Sequence, residues 1–231
     1  MPSGIALVIW ILGMGAGVCF VASAIRRSSF LKYFFLNLYV ILSLCADLLR
    51  QFVLRFYGLD SSEYSYAYYY TDCLLTVALF VAVISLASRV FAELNLGKHV
   101  RTVAVLLLLG TAGFSYAVVA QSAHRLVTMF AFELSQNLYF VGLVLTYLLW
   151  GAVLKLQETR TRVVQMVLSL GLYFSAYAGS FALANLAPKY VFVQYLGPIL
   201  GCFLPISWSL TLLRHSEDSR LTPARLVAVP R

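Results

Sequence analysis

Apolar residues run along this chain in stretches of about 20 separated by short polar segments, and seven such stretches follow one another. They cover residues 5–25, 33–54, 70–91, 102–121, 126–150, 163–187 and 190–213. At a rise of about 1.5 Å per residue, each is long enough as a helix to cross a hydrocarbon core about 30 Å thick. Barrel strands would instead alternate apolar and polar positions over about ten residues. Segments 74–86 and 103–109 show no such alternation. The pattern predicts an all-α polytopic membrane protein, a seven-helix transmembrane bundle over residues 1–213 with a short basic tail over 214–231.

Composition agrees with the pattern. Hydrophobic residues make up 61% of the chain and charged residues 11%, against roughly a quarter charged in soluble proteins. A net charge of +8 would point to nucleic acid in a soluble domain. Here the position of the charges decides otherwise, because they sit in alternate loops. The first, third and fifth loops and the tail carry 13 of the 17 Lys and Arg. The opposite side carries only Arg55, Arg125 and Lys189, with Arg50 inside a span. Excess positive charge marks the cytoplasmic face, so the N-terminus is expected outside and the C-terminus in the cytoplasm, with the lipid bilayer as the main partner and no nucleic acid.

The first stretch ends in Ala22-Ser23-Ala24, a small-x-small form seen at signal cleavage sites. No Lys or Arg precedes it, it is longer than a signal core, and Arg26 and Arg27 follow at once, so it reads as a retained span. Cys19, Cys45, Cys73 and Cys202 fall within or beside apolar runs without C-x-x-C spacing and read as buried thiols. Segment 55–69 reads as the longest outer loop and holds Tyr57, Tyr64, Tyr66, Tyr68 and Tyr69. These are either interfacial anchors or a lid over an outer pocket. Gly13 and Gly17, and Gly197 and Gly201, have the spacing that lets helix backbones approach. Pro198 and Pro205 are expected to kink the seventh helix.

Ionisable residues inside spans are costly and tend to pair and to face the bundle interior. Four stand out: Asp47, Arg50, Asp72 and Glu133. Tyr39, Ser43, Asp47 and Arg50 share one face of the second helix, where Asp47 and Arg50 can pair. Glu133, Gln136 and Asn137 form a polar face on the fifth, and Asp72 and Thr76 a shorter one on the third. Asp47, Arg50, Asp72, Glu133, Ser180 and Gln194 fall in the outer half of their spans, with Tyr177 nearer the middle. If these faces converge, they form an outer pocket for a small polar or cationic ligand. The candidate ligand-binding residues are Asp47, Arg50, Asp72, Glu133, Gln136, Asn137, Tyr177 and Gln194. The bland alternative is a static network that sets helix register.

Several constellations are missing. Retinal chemistry needs a lysine in the seventh helix, and Lys32, Lys98, Lys155 and Lys189 all lie outside the spans. His99, His124 and His215 lie in loops or the tail, which offers no axial ligands for haem between helices and no histidine metal site. No cofactor, metal or catalytic residue is therefore expected. Gly179-Ser180 lacks a buried histidine for protease chemistry, and Gly13, Gly15 and Gly17 lack the Lys-Ser or Lys-Thr of a phosphate loop. The stretch Leu204-Pro205-Ile206-Ser207-Trp208 resembles the Pro-x-x-aromatic end of the seventh helix in G-protein-coupled receptors, with Leu in place of Asn at its first position.

Seven helices, an outward N-terminus, a tyrosine-rich outer loop and polar groups in the outer half together resemble the seven-helix sensory input regions of bacterial histidine kinases. They are also similar to bacterial seven-helix membrane proteins of this size. The likeness covers residues 5–213 and is one of architecture. It implies a bacterial inner (plasma) membrane and a sensory role. The 18 residues after Leu213 are too few for a kinase or cyclase domain, so a cytoplasmic or membrane partner is expected to carry the signal. The expectations, in order, are a receptor-like module, a small-solute or proton-coupled transporter, and a membrane enzyme or scaffolding subunit.

Overall fold

The structure, a computed structural model, describes residues 4–91, 97–120, 126–155, 160–186 and 193–215. His124, Arg125, Lys189, Arg220, Arg225 and Arg231 lie outside the described residues. Seven helices account for nearly all of what is described: α1 (Gly4–Arg26), α2 (Phe34–Tyr57), α3 (Ser62–Val90), α4 (Gly97–Ala120), α5 (Leu126–Lys155), α6 (Thr161–Leu186) and α7 (Val193–Arg214). All seven are long and apolar enough to cross a membrane, which makes the chain an integral membrane protein by length and composition. Large apolar side chains such as Ile11, Leu12, Leu106, Leu109 and Leu148 point outward and exposed. A surface so apolar belongs in lipid rather than in water.

The helices do not pack as a simple circle of seven. Six of them close a ring in the order α1, α2, α3, α5, α6, α7, with α1 against α7 at the seam. Helix α4 packs on the outside of that ring, against α3 and α5. Helix α3 also touches α6 across the middle.

The largest departure from the sequence reading is at segment 55–69. It is not a long loop: α2 continues to Tyr57, α3 begins at Ser62, and residues 58–61 form the turn between them. Two local devices explain this. Gly58 adopts φ 83° and its N–H bonds the Leu54 carbonyl at 3.1 Å, a left-handed exit that glycine makes without a Cβ clash. Ser61 then caps α3, its Oγ accepting from the Tyr64 N–H at 3.1 Å, with Glu63 in the first turn, where a carboxylate suits the positive end of the helix dipole. Tyr64, Tyr66, Tyr68, Tyr69 and Tyr70 thus stand on a helix. Thiol burial is also corrected: Cys19 and Cys45 are exposed on the bundle surface, Cys73 and Cys202 are partly buried, and all four are free.

In the half of the bundle away from the α2–α3 turn, large buried side chains fill the centre. Trp208 is fully buried, its ring 5.8 Å from that of Phe20 and 6.1 Å from that of Tyr39, and its indole N–H donates to Ser169 Oγ at 3.0 Å. That hydrogen bond satisfies the one polar atom the ring carries inward. At the same end, arginines hold the carbonyls that close α7. Arg27 donates to the Leu213 carbonyl at 3.0 Å, and buried Arg162 donates to the His215 carbonyl at 2.8 Å and to Ser29 Oγ at 3.1 Å. Cations are favourable there because the last carbonyls of a helix lack intrahelical donors.

Close approach between α5 and α6 depends on Gly142. A Cβ placed there would lie 2.5 Å from the ring of Phe174, itself buried. Overpacking of this kind costs about 1–3 kcal/mol. Gly142→Ala is expected to lower the thermal denaturation midpoint in detergent by several degrees, followed by circular dichroism. An unchanged midpoint would show that this contact does not limit the packing of α5 on α6.

Candidate functional site

In the half that holds the α2–α3 turn, the ring opens around a cavity of about 330 Å³. All six ring helices line it, and α4 supplies none of its lining residues. The volume is at the lower end of the range for small-molecule sites, about 300–1,000 Å³.

Helix α2 supplies the longest polar stripe. Tyr39, Ser43, Asp47 and Arg50 all line the cavity, as their offsets of four, four and three residues require of one helical face. Arg50 does not pair along its own helix as the spacing allowed. Its guanidinium crosses to α3, where Nε donates to Thr71 Oγ1 at 2.7 Å and Nη2 to the Tyr68 carbonyl at 3.3 Å. It also stacks 4.6 Å from the centre of the Tyr68 ring and sits 4.0 Å from Asp72 Oδ1. Thr71 is held in place because its hydroxyl donates to the Ala67 carbonyl at 2.6 Å. Asp47, one turn below Arg50, makes no hydrogen bond and no ion pair within 4.0 Å among the described residues; it feels Arg50 through space only.

Aromatic side chains make up much of the rest of the wall. Tyr64 and Tyr68 come from α3, Tyr139 from α5, and Tyr173 and Tyr177 from α6, with Trp10 of α1 opposite. Tyr139 and Tyr177 stack with centroids 4.7 Å apart and planes 8° from parallel, and Tyr173 lies 4.8 Å from Tyr177. The Trp10 indole N–H is buried with no hydrogen-bond partner among the described residues. On α7 the lining residues are Gly197, Pro198, Gly201, Cys202 and Pro205. A Cβ added at Gly201 would meet nothing within 4 Å, so this glycine holds cavity space open rather than bringing two backbones together. Gly13 and Gly17 do allow close approach, facing Cys202 and Leu44.

Of the residues singled out from the sequence, Asp47, Arg50, Asp72 and Tyr177 line the cavity. Glu133, Gln136 and Asn137 do not, because the polar stripe of α5 turns toward the peripheral helix. Asn137 Nδ2 donates to Ser115 Oγ of α4 at 3.0 Å. The cavity instead takes Tyr139, six residues after Glu133 and about 240° round the helix from it. The Gln194 side chain lies outside the described residues. Tyr64, Tyr68, Tyr139, Tyr173 and Trp10 were not singled out as ligand-binding residues. The i, i+4 pairs Tyr64/Tyr68 and Tyr173/Tyr177 were the available signal, since each puts two rings on one face.

The two anions differ in what depends on them. Arg50→Met removes three contacts and leaves Asp72 without its cation, so it is expected to destabilise the protein by about 1–3 kcal/mol. Asp47→Asn breaks no contact and is expected to leave the denaturation midpoint within experimental scatter or to raise it. Equal losses for the two variants would show that both anions belong to one static network.

No protein-family model, no curated protein and no solved structure matches the chain, so the reading of this site rests on its own residues.

Proposed function

We propose that the chain is a receptor-like sensory module of the bacterial plasma membrane, which takes a small polar ligand into this cavity and passes a helix movement to a partner. The observation that carries the reading is the cavity itself. It carries a polar stripe on α2, tyrosines on α3, α5 and α6 and mostly small or aliphatic residues on α1 and α7, is shared by six helices and is large enough for a small molecule. The distribution of Lys and Arg supports an α2–α3 turn outside the cell and an arginine-rich end inside, and in that orientation the ligand enters from the exterior.

Helix α7 supplies the route for the signal. Pro205 lines the cavity and carries no N–H, so the carbonyl of Gly201, also in the lining, lacks its usual helical donor. A helix weakened at that point bends more readily than one with an unbroken ladder. One turn further on, Trp208 is wedged between Phe20 and Tyr39, and the helix ends in the carbonyls gripped by Arg27 and Arg162. A ligand that pushes or draws α7 at Pro205 alters its far end, where a cytoplasmic partner reads the change. A ligand shifts this equilibrium only by its difference in affinity for the two arrangements.

Two measurements test the reading. In a background lacking the four native cysteines, Ser62→Cys should react with a membrane-impermeant maleimide on intact cells, and Lys32→Cys only after permeabilisation. The reverse pattern would overturn the orientation. Spin labels at Lys155→Cys and Arg214→Cys, on the far ends of α5 and α7, should show a distance distribution that moves by about 1–2 Å or more when Pro205→Ala restores the ladder. An unchanged distribution would remove α7 as the transmitting element. Solute uptake into proteoliposomes that is lost in Asp47→Asn would replace the receptor by a transporter.

A further inference from the structure

The chemistry of the walls says more about the ligand than its size. We infer that the cavity is built for an organic monocation, a primary or quaternary amine whose charge sits against Asp47 and whose carbon groups lie on the tyrosine faces. This rests on the ligand-binding reading above and deepens it.

Charge is the first argument. Two carboxylates and one guanidinium line the cavity, and the guanidinium is already committed to Asp72, Thr71 and Tyr68. That leaves Asp47 as a carboxylate with no cation within 4.0 Å among the described residues. A charge inside a membrane span is stabilised by a partner of opposite sign, and a bound ammonium is such a partner. An anionic ligand would meet two carboxylates, and the guanidinium is turned toward α3 through Nε and Nη2.

The aromatic walls are the second argument, and they separate an organic cation from a metal ion. Six tyrosines and Trp10 line the space. Ring faces carry negative quadrupole charge and hold ammonium groups at about 6 Å or less from their centres, the arrangement of aromatic cages for quaternary amines. The site already contains one such contact, since Arg50 stacks on Tyr68 at 4.6 Å. A hard metal ion needs several oxygen ligands close together, and among the described residues no three His, Cys, Asp or Glu are gathered.

The test uses the full chain in detergent, isothermal titration calorimetry and thermal denaturation, with matched probes up to roughly 10 mM. These are choline and phenethylamine, the neutral tert-butyl isostere of choline and phenethyl alcohol, and the anion hydrocinnamate. At least one amine should bind and raise the denaturation midpoint by about 2–4 °C near saturation, with its neutral isostere at least roughly tenfold weaker. Asp47→Asn should weaken the amine at least roughly tenfold and leave the neutral isostere unchanged. Gly201→Leu, placed in open space, should keep the denaturation midpoint and abolish binding.

Equal affinity for amine and alcohol, tighter binding of hydrocinnamate, or an Asp47→Asn variant that binds amines normally would overturn the monocation. The cavity reading would survive each of these where Gly201→Leu still abolishes binding. Amine binding that Gly201→Leu leaves intact would place the ligand elsewhere and overturn both. Neither amine binding at the highest concentration would also overturn the monocation, leaving the signalling proposal to stand or fall on the spin-label distances.

Discussion

A guanidinium cannot be left bare within a membrane-spanning helix, and the half of this bundle around the α2–α3 turn is organised by how Arg50 is satisfied. Its donors reach across to α3, to a threonine hydroxyl and a backbone carbonyl, while a tyrosine face and a carboxylate complete its surroundings. Those contacts tie α2 to α3 and put Asp72 and Tyr68 on the cavity wall. They also leave Asp47 without an ion pair among the described residues, because the guanidinium turns to α3. Much of the polar character of the cavity follows from that one choice of partner.

Polarity is divided along the bundle axis. Toward the arginine-rich end, Trp208, Phe20, Leu36, Leu86, Leu170 and Leu212 fill the centre and are fully buried. Toward the turn, the centre is left open and lined with hydroxyls, carboxylates and rings. Tyr39 belongs to both halves, lining the cavity while its ring meets Trp208 edge-on. The boundary between the open and the filled centre therefore lies at a layer of aromatic contacts, through which α7 passes with a proline on one side and a tryptophan on the other.

The spans were legible because each is a continuous apolar run, and a run of about 20 needs no knowledge of neighbours to be recognised. The stripe Tyr39, Ser43, Asp47, Arg50 was legible for a similar reason, since helical spacing alone assigns a common face. What spacing cannot give is the direction a face points. Glu133, Gln136 and Asn137 do form a stripe, but it meets Ser115 on α4, and only the exclusion of α4 from the ring decides that. The 55–69 segment was misread because its tyrosines outweighed a local signal, the Gly58 stop and the Ser61 cap with Glu63 behind it. Gly142 gave no sign of its importance, because the ring that requires it lies on another helix.

The shortness of the turn over residues 58–61 bears on how the chain enters a bilayer. Thr71, the closest partner of Arg50, lies 21 positions away on the next helix, and Tyr68 is nearer still. Helices α2 and α3 thus make a hairpin that carries the neutralisation of its own arginine. A ribosome that has delivered no more than the third helix has already delivered everything that Arg50 needs, and the charge can leave the translocation channel as part of a folded pair.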